Sequence, residues 1–269
     1  MPQLATIQQQ FHDDLDRARD LLELIRKFKA FAGSAVPVQI ANGMVSWAEA
    51  ADLTSIAPQV RTDLPLMSGS ILLYVCGRFE NFVREVVMAV GDEYATKASS
   101  YAVLPESVRS ELLNRTLEVA KSPTKYHFKE SDTAHLIKVL SDSLNPAPGA
   151  PVVVETRLLA ITDANMHSRM FAEIFKRVGM DNVWQELGKQ APLKAHLGET
   201  ADAQCRSAAT ARIDAIMRER NGIAHPTAST SFPDPDQVQD VVEFLRVLSK
   251  VAVDLALIPR GPAAQAGDA

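Results

Sequence analysis

The residues of this chain best suited to chemistry lie in Met217-Arg-Glu-Arg-Asn-Gly-Ile-Ala-His-Pro226, where charged and polar groups crowd the end of an otherwise amphipathic stretch. Ile213, Ile216 and Met217 supply its apolar side. Helical geometry puts Asn221 and His225 one turn apart and in rough register, with Arg220 about 100° round from Asn221, so that all three border one cleft. Gly222 weakens the helix inside the group and Pro226 ends it, and small departures from ideal geometry there bring Arg220 towards His225. Arg218 falls within a looser version of the same Arg-to-His spacing.

These side chains suit transesterification of RNA. The 2′-hydroxyl must lose a proton as it attacks the adjacent phosphorus, and the departing 5′-oxygen must gain one. Imidazole does either task near neutral pH, since its unperturbed pKa is about 6.5. Negative charge spreads over the phosphoryl oxygens, and a guanidinium clamps it with paired hydrogen bonds while staying charged. Asn221 can orient the phosphate or the imidazole. No metal is needed. On spacing alone a structural reading stays open, in which Arg220 and His225 only cap a helix C-terminus, where cations meet the negative end of the dipole.

Other familiar signatures are missing from the sequence. It has no Gly-rich phosphate loop with its lysine, no Cys or His pair at zinc-finger spacing and no Gly-x-Ser-x-Gly elbow. The expectation is therefore no metal and no cofactor.

The elements that must position the motif follow from apolar spacing. Ile7, Phe11, Leu15, Leu22, Ile25 and Phe28 recur at steps of three, four and seven, which predicts a long first helix. The stretch from Ala32 to Pro65 is broken by Gly33, Pro37, Gly43 and Pro58 and reads as a partly structured connection. Ser68 to Asp92 carries an apolar stripe wide enough to be contacted from two sides, predicting a central helix. Helices are expected over Glu106 to Ala120, from Ser131 through Leu144 and over Ala164 to Val178, with a weaker one over Val183 to Leu197, broken at Gly188 and Pro192. Two well-defined late helices, Asp202 to about Ala224 and Asp236 to about Leu257, flank the polar stretch Pro226 to Pro235. Val152 to Glu155 is the only strand candidate, with no obvious partner, so the expected fold is an all-α bundle with irregular insertions.

With 269 residues, 46% of them hydrophobic, the chain can bury a full core. Cys76 and Cys205 sit in apolar helical surroundings and read as buried free thiols, pointing to a reducing cytoplasm. No apolar run is long enough to span a bilayer. A net charge of -5 excludes coating of nucleic acid through bulk electrostatics, while a cleft that focuses local positive charge on a few nucleotides remains allowed.

The string Arg218-x-Arg220-Asn221-x-Ile223-Ala224-His225, followed by a short polar loop and a final amphipathic helix, resembles the HEPN superfamily, in particular its bacterial RiboL-PSP-type members. A second match is Leu73-Tyr-Val-Cys-Gly-Arg-Phe-Glu-Asn-Phe-Val-Arg-Glu85, similar to an early helix of that family. The resemblance implies a helical bundle that forms a homodimer with two motifs facing each other across a composite site. Arg220, Asn221 and His225 would be the catalytic positions of a metal-independent endoribonuclease acting on RNA as a toxin or phage-defence effector, with an antitoxin or defence-system protein as a further partner. Residues 1–259 would form one HEPN-like domain with an elaborated middle, about 98–200, and 260–269 a disordered tail. Pro226 departs from the family pattern, where glycine often follows the histidine, and supports a second reading as a noncatalytic module that binds a nucleotide or a partner protein.

Glu80, a carboxylate beside Phe79 and Phe82, is the candidate to support His225 or Arg220 from a neighbouring helix, or else to pair with Arg84 one turn on. Arg218 would add charge beside the motif. His12, His127, His135, His167 and His196 read as ordinary surface or packing histidines. Lys121, Lys125, Tyr126, His127 and Lys129 make a small basic and aromatic cluster that reads as a solvated loop, with RNA contact as the alternative.

Overall fold

A computed structural model describes residues 2–35, 41–43 and 48–258. Its helices are α1 (Pro2–Ala32), α2 (Ala48–Val60), α3 (Leu64–Lys97), α4 (Glu106–Lys121), α5 (Asp132–Leu144), α6 (Ser168–Arg177), α7 (Val183–Gly188), α8 (Ala191–Leu197), α9 (Asp202–Ala224) and α10 (Pro235–Ala256). The fold is all-α, with no strand among the described residues. Val152 to Glu155 has no strand to pair with, and the Val153 carbonyl instead accepts the Ser143 hydroxyl at 2.7 Å. No described helix is long and apolar enough to cross a membrane. The tail expected at 260–269, and Pro37 in the early connection, lie outside the described residues.

Two elements differ from the sequence expectation for identifiable reasons. The connection before the central helix contains α2, and α3 begins at Leu64 rather than Ser68. Pro65 falls in the first turn of α3, where a missing N–H breaks no helical bond, so it opens the helix instead of ending the loop. Helix α6 begins at Ser168 rather than Ala164, because His167 Nδ1 accepts the Met170 amide at 3.3 Å and Asp214 accepts the Ser168 amide at 2.7 Å. Those two caps satisfy donors that a longer helix would have bonded internally.

The chain divides into two compact units, one of residues 1–10, 79–215 and 247–269, the other of 11–78 and 216–246. The first holds an aromatic core. Phe79 stacks on Phe171 with ring centroids 6.2 Å apart and planes 4° from parallel, and Phe171 meets Phe175 at 4.7 Å and Trp184 at 4.8 Å. Buried Arg177 donates to the Leu159 carbonyl at 3.0 Å and pairs with Glu111 at 3.0 Å, so its charge is compensated where water is excluded. Cys205 is a free buried thiol of this unit, and burial raises its pKa.

The second unit is built on an antiparallel pair. Arg246 of α10 bonds Asp16 of α1 at 2.6 Å, and Arg26 of α1 bonds Asp236 of α10 at 2.7 Å. The two ion pairs are ten residues apart on each helix, in opposite directions. Phe11, Leu15, Leu22 and Ile25 of α1, Leu72, Val75 and Cys76 of α3, and Val242 and Leu245 of α10 are buried in it. Among them the buried Asp14 carboxylate accepts from Tyr74 at 2.7 Å, from Arg17 at 2.9 Å and from Arg78. Burial alone would raise the Asp14 carboxyl, but these hydrogen bonds and the charges of Arg78 and Arg17 outweigh it and hold its pKa below the ordinary value.

Candidate active site

The motif occupies the last turns of α9, within the second unit. Ile216, Met217 and Ile223 are buried and anchor this end of the helix, which turns the polar residues between them outwards. Arg218, Asn221 and His225 are exposed and Arg220 is half-buried. The His225 amide donates to the Asn221 carbonyl at 3.1 Å, so helical stacking extends as far as the histidine and holds it one turn above Asn221. Pro226 follows. Lacking an N–H it cannot answer the Gly222 carbonyl, and the helix stops there.

Arg220 Nη1 donates to Asn221 Oδ1 at 3.2 Å, so the two neighbours form one polar group. Among the described residues Arg220 Nε is buried without a hydrogen-bond partner. Buried donors are almost always satisfied, which makes this nitrogen an exception at the helix end. Among the described residues no carboxylate lies within ion-pair distance of Arg220 or Arg218.

The loop after the motif is fixed at both ends. Thr227 and Thr230 close a turn on themselves, with the Thr227 amide donating to Thr230 Oγ1 at 2.7 Å and the Thr230 amide to the Thr227 carbonyl at 3.0 Å. At the far end the Asp234 amide donates to Gln237 Oε1 at 2.9 Å, which starts α10. Between them Phe232 lies against Gly69 of α3, where an added Cβ would stand 2.7 Å from the ring and 3.5 Å from Ile223. The sequence offered no signal for this contact beyond a glycine near the start of an apolar helix.

Arg218, Arg220, Asn221 and His225 are thus brought to one helix end. Glu80 belongs to the other unit, where its carboxylate accepts the Met166 amide at 3.4 Å. His167 acts as a helix cap, and burial and the Arg246 charge lower the pKa of His12. Lys125 of the basic and aromatic cluster lies 4.9 Å from the centre of the Tyr126 ring. Among the described residues no three His, Cys, Asp or Glu side chains are grouped to hold a metal ion. Sequence reasoning passed over the cluster of Asp14 with Tyr74 and Arg78, because 60 and 64 positions separate the carboxylate from its partners and no local spacing announces them.

A sequence model of the family described as RiboL-PSP-HEPN matches residues 49–256. That span takes in α2 to α10 and the whole motif. No curated protein and no solved structure matches the chain.

Proposed function

Since this chain belongs to the RiboL-PSP-HEPN family, we propose that it is a metal-independent endoribonuclease that cleaves RNA by attack of the 2′-hydroxyl. The observation that carries the reading is the Arg220 guanidinium, bonded to Asn221 at the helix end that also bears His225 and, among the described residues, beyond ion-pair distance of any carboxylate. A phosphoryl oxygen suits that donor, and its charge develops where the guanidinium already stands preorganised. His225 transfers the proton, Arg220 stabilises charge, Asn221 orients, and Arg218 adds local positive potential.

The enzyme works in the cytoplasm as a homodimer with a composite site. Large apolar side chains of the unit that carries the motif are exposed, among them Leu21 and Leu24 of α1, Ile56 of α2, and Leu66 and Met67 of α3. Such residues suit burial against a second copy about a two-fold axis, which would also double the positive charge offered to RNA. Its biological role is that of a toxin or defence effector, restrained by an antitoxin or a defence-system protein.

The test is RNA cleavage in EDTA. The wild-type protein should give fragments ending in 2′,3′-cyclic phosphate, and His225→Ala should fold with unchanged circular dichroism and give none. Cleavage that requires added metal would overturn the reading. RNA retained without cleavage by both proteins would favour the noncatalytic module instead.

A further inference from the structure

A second cationic site lies in the same unit, away from the motif in sequence. An open cavity of about 280 Å³ is lined by Arg26, Lys29 and Ala30 of α1, by Arg61, and by Pro235 and Asp236 at the start of α10. Three side chains bring positive charge to it. Arg26 pairs with Asp236 at 2.7 Å and with Glu23 at 3.6 Å, and Lys29 with Asp234 at 2.9 Å, while among the described residues no carboxylate lies within ion-pair distance of Arg61. Both aspartates are well exposed, at 86% and 56% of their side-chain surface. Ion pairs in that setting are weak and exchange readily for a better anion. The first turn of α10 adds the positive end of its dipole.

We propose that this cavity is a phosphate subsite for the RNA strand, engaging the backbone beyond the nucleotides at the motif. The proposal rests on the RNA reading given above. Arg26 and Arg61 offer planar forks that match phosphate oxygens, and Lys29 offers a mobile point charge. Distance allows one strand to reach both places. Asp234 follows His225 by nine residues, so the cavity rim lies no more than about 30 Å from the motif even if the loop were fully extended.

Binding without turnover tests the subsite. In a His225→Ala background, anisotropy of a labelled single strand of about twelve nucleotides, long enough to cover about 40 Å, is titrated against salt. Adding Lys29→Gln and Arg61→Gln should weaken binding about threefold to tenfold. It should also flatten the dependence of log K on log salt by about 0.7 for each phosphate no longer engaged. Thermal melts of the variants exclude unfolding as the cause. Equal affinity and equal slope for the long strand would overturn the proposal. So would AMP binding that disappears in the variants while the long strand binds unchanged, because the cavity would then serve a free nucleotide. Cleavage is not read, so an inactive motif and a cavity that takes no phosphate give different results.

Discussion

Gly69 and Phe232 touch so closely that a single methyl group on the glycine would stand 2.7 Å from the phenyl ring. The contact joins α3 to the loop that begins directly after His225, and the same methyl group would stand 3.5 Å from Ile223 of the motif helix. Gly69→Ala should therefore displace the ring, cost about 1–3 kcal/mol as overpacking does, and shift the segment that carries the histidine. A melt should show the loss, and RNA cleavage should fall by more than the folded fraction does. Wild-type cleavage with a lowered melting temperature would show that the loop moves independently of the motif.

Arg220→Lys keeps the charge and removes the fork. If the guanidinium supplies paired hydrogen bonds to the phosphoryl oxygens, cleavage should fall on the order of 10²–10³-fold, the loss typical of removing one preorganised donor. Single-turnover rates on a defined RNA measure it. A loss under about threefold would reduce Arg220 to a point charge.

The motif could be read from the sequence because its members lie within a few positions on one helix, where 3.6-residue geometry dictates their neighbours. Most helices were legible for the same reason, including α4 behind Pro105 and the pair α7 and α8, which part after Gly188, while Pro192 opens α8 rather than breaking it. Pro65 misled because proline marks a helix start as well as a stop, and sequence alone does not say which. The cavity formed by Arg26, Lys29 and Arg61 joins positions that only tertiary packing assembles. Each reads in the sequence as an ordinary surface cation.

Asp14 should make stability depend on pH in a defined window. Its pKa is depressed in the folded chain, so its contribution is present above the ordinary carboxyl value near 4 and is lost as pH falls through the folded value. The melting-temperature gap between wild type and Asp14→Asn should be full at about pH 6–7, reflecting about 2 kcal/mol for charge-assisted hydrogen bonds, and should shrink below about pH 4. His12, whose pKa is lowered mainly by burial, is common to both proteins and drops out of the difference. A gap independent of pH would contradict the assignment.

Leu24 is 60% exposed on α1, an unusual position for a large apolar side chain in an otherwise amphipathic helix. Leu24→Glu should leave the melting temperature of the monomer unchanged and move the protein towards half the mass in sedimentation. Cleavage would fall with the mass if the site is composite. Unchanged mass would place the dimer contact, if one forms, on another face.

Helix α1 lies before the first family-matched residue, yet its Asp14 is bonded by Tyr74 and Arg78 of α3 and its apolar side is buried from Leu4 to Ile25. Ancestry and folding thus draw the domain's edge in different places. A protein trimmed to the family span would lack the helix whose Asp14 is held by Tyr74 and Arg78 and whose apolar side is buried, and it should be recovered from cells as aggregate. Supplying residues 2–32 as a separate peptide during refolding should restore solubility, as in fragment complementation.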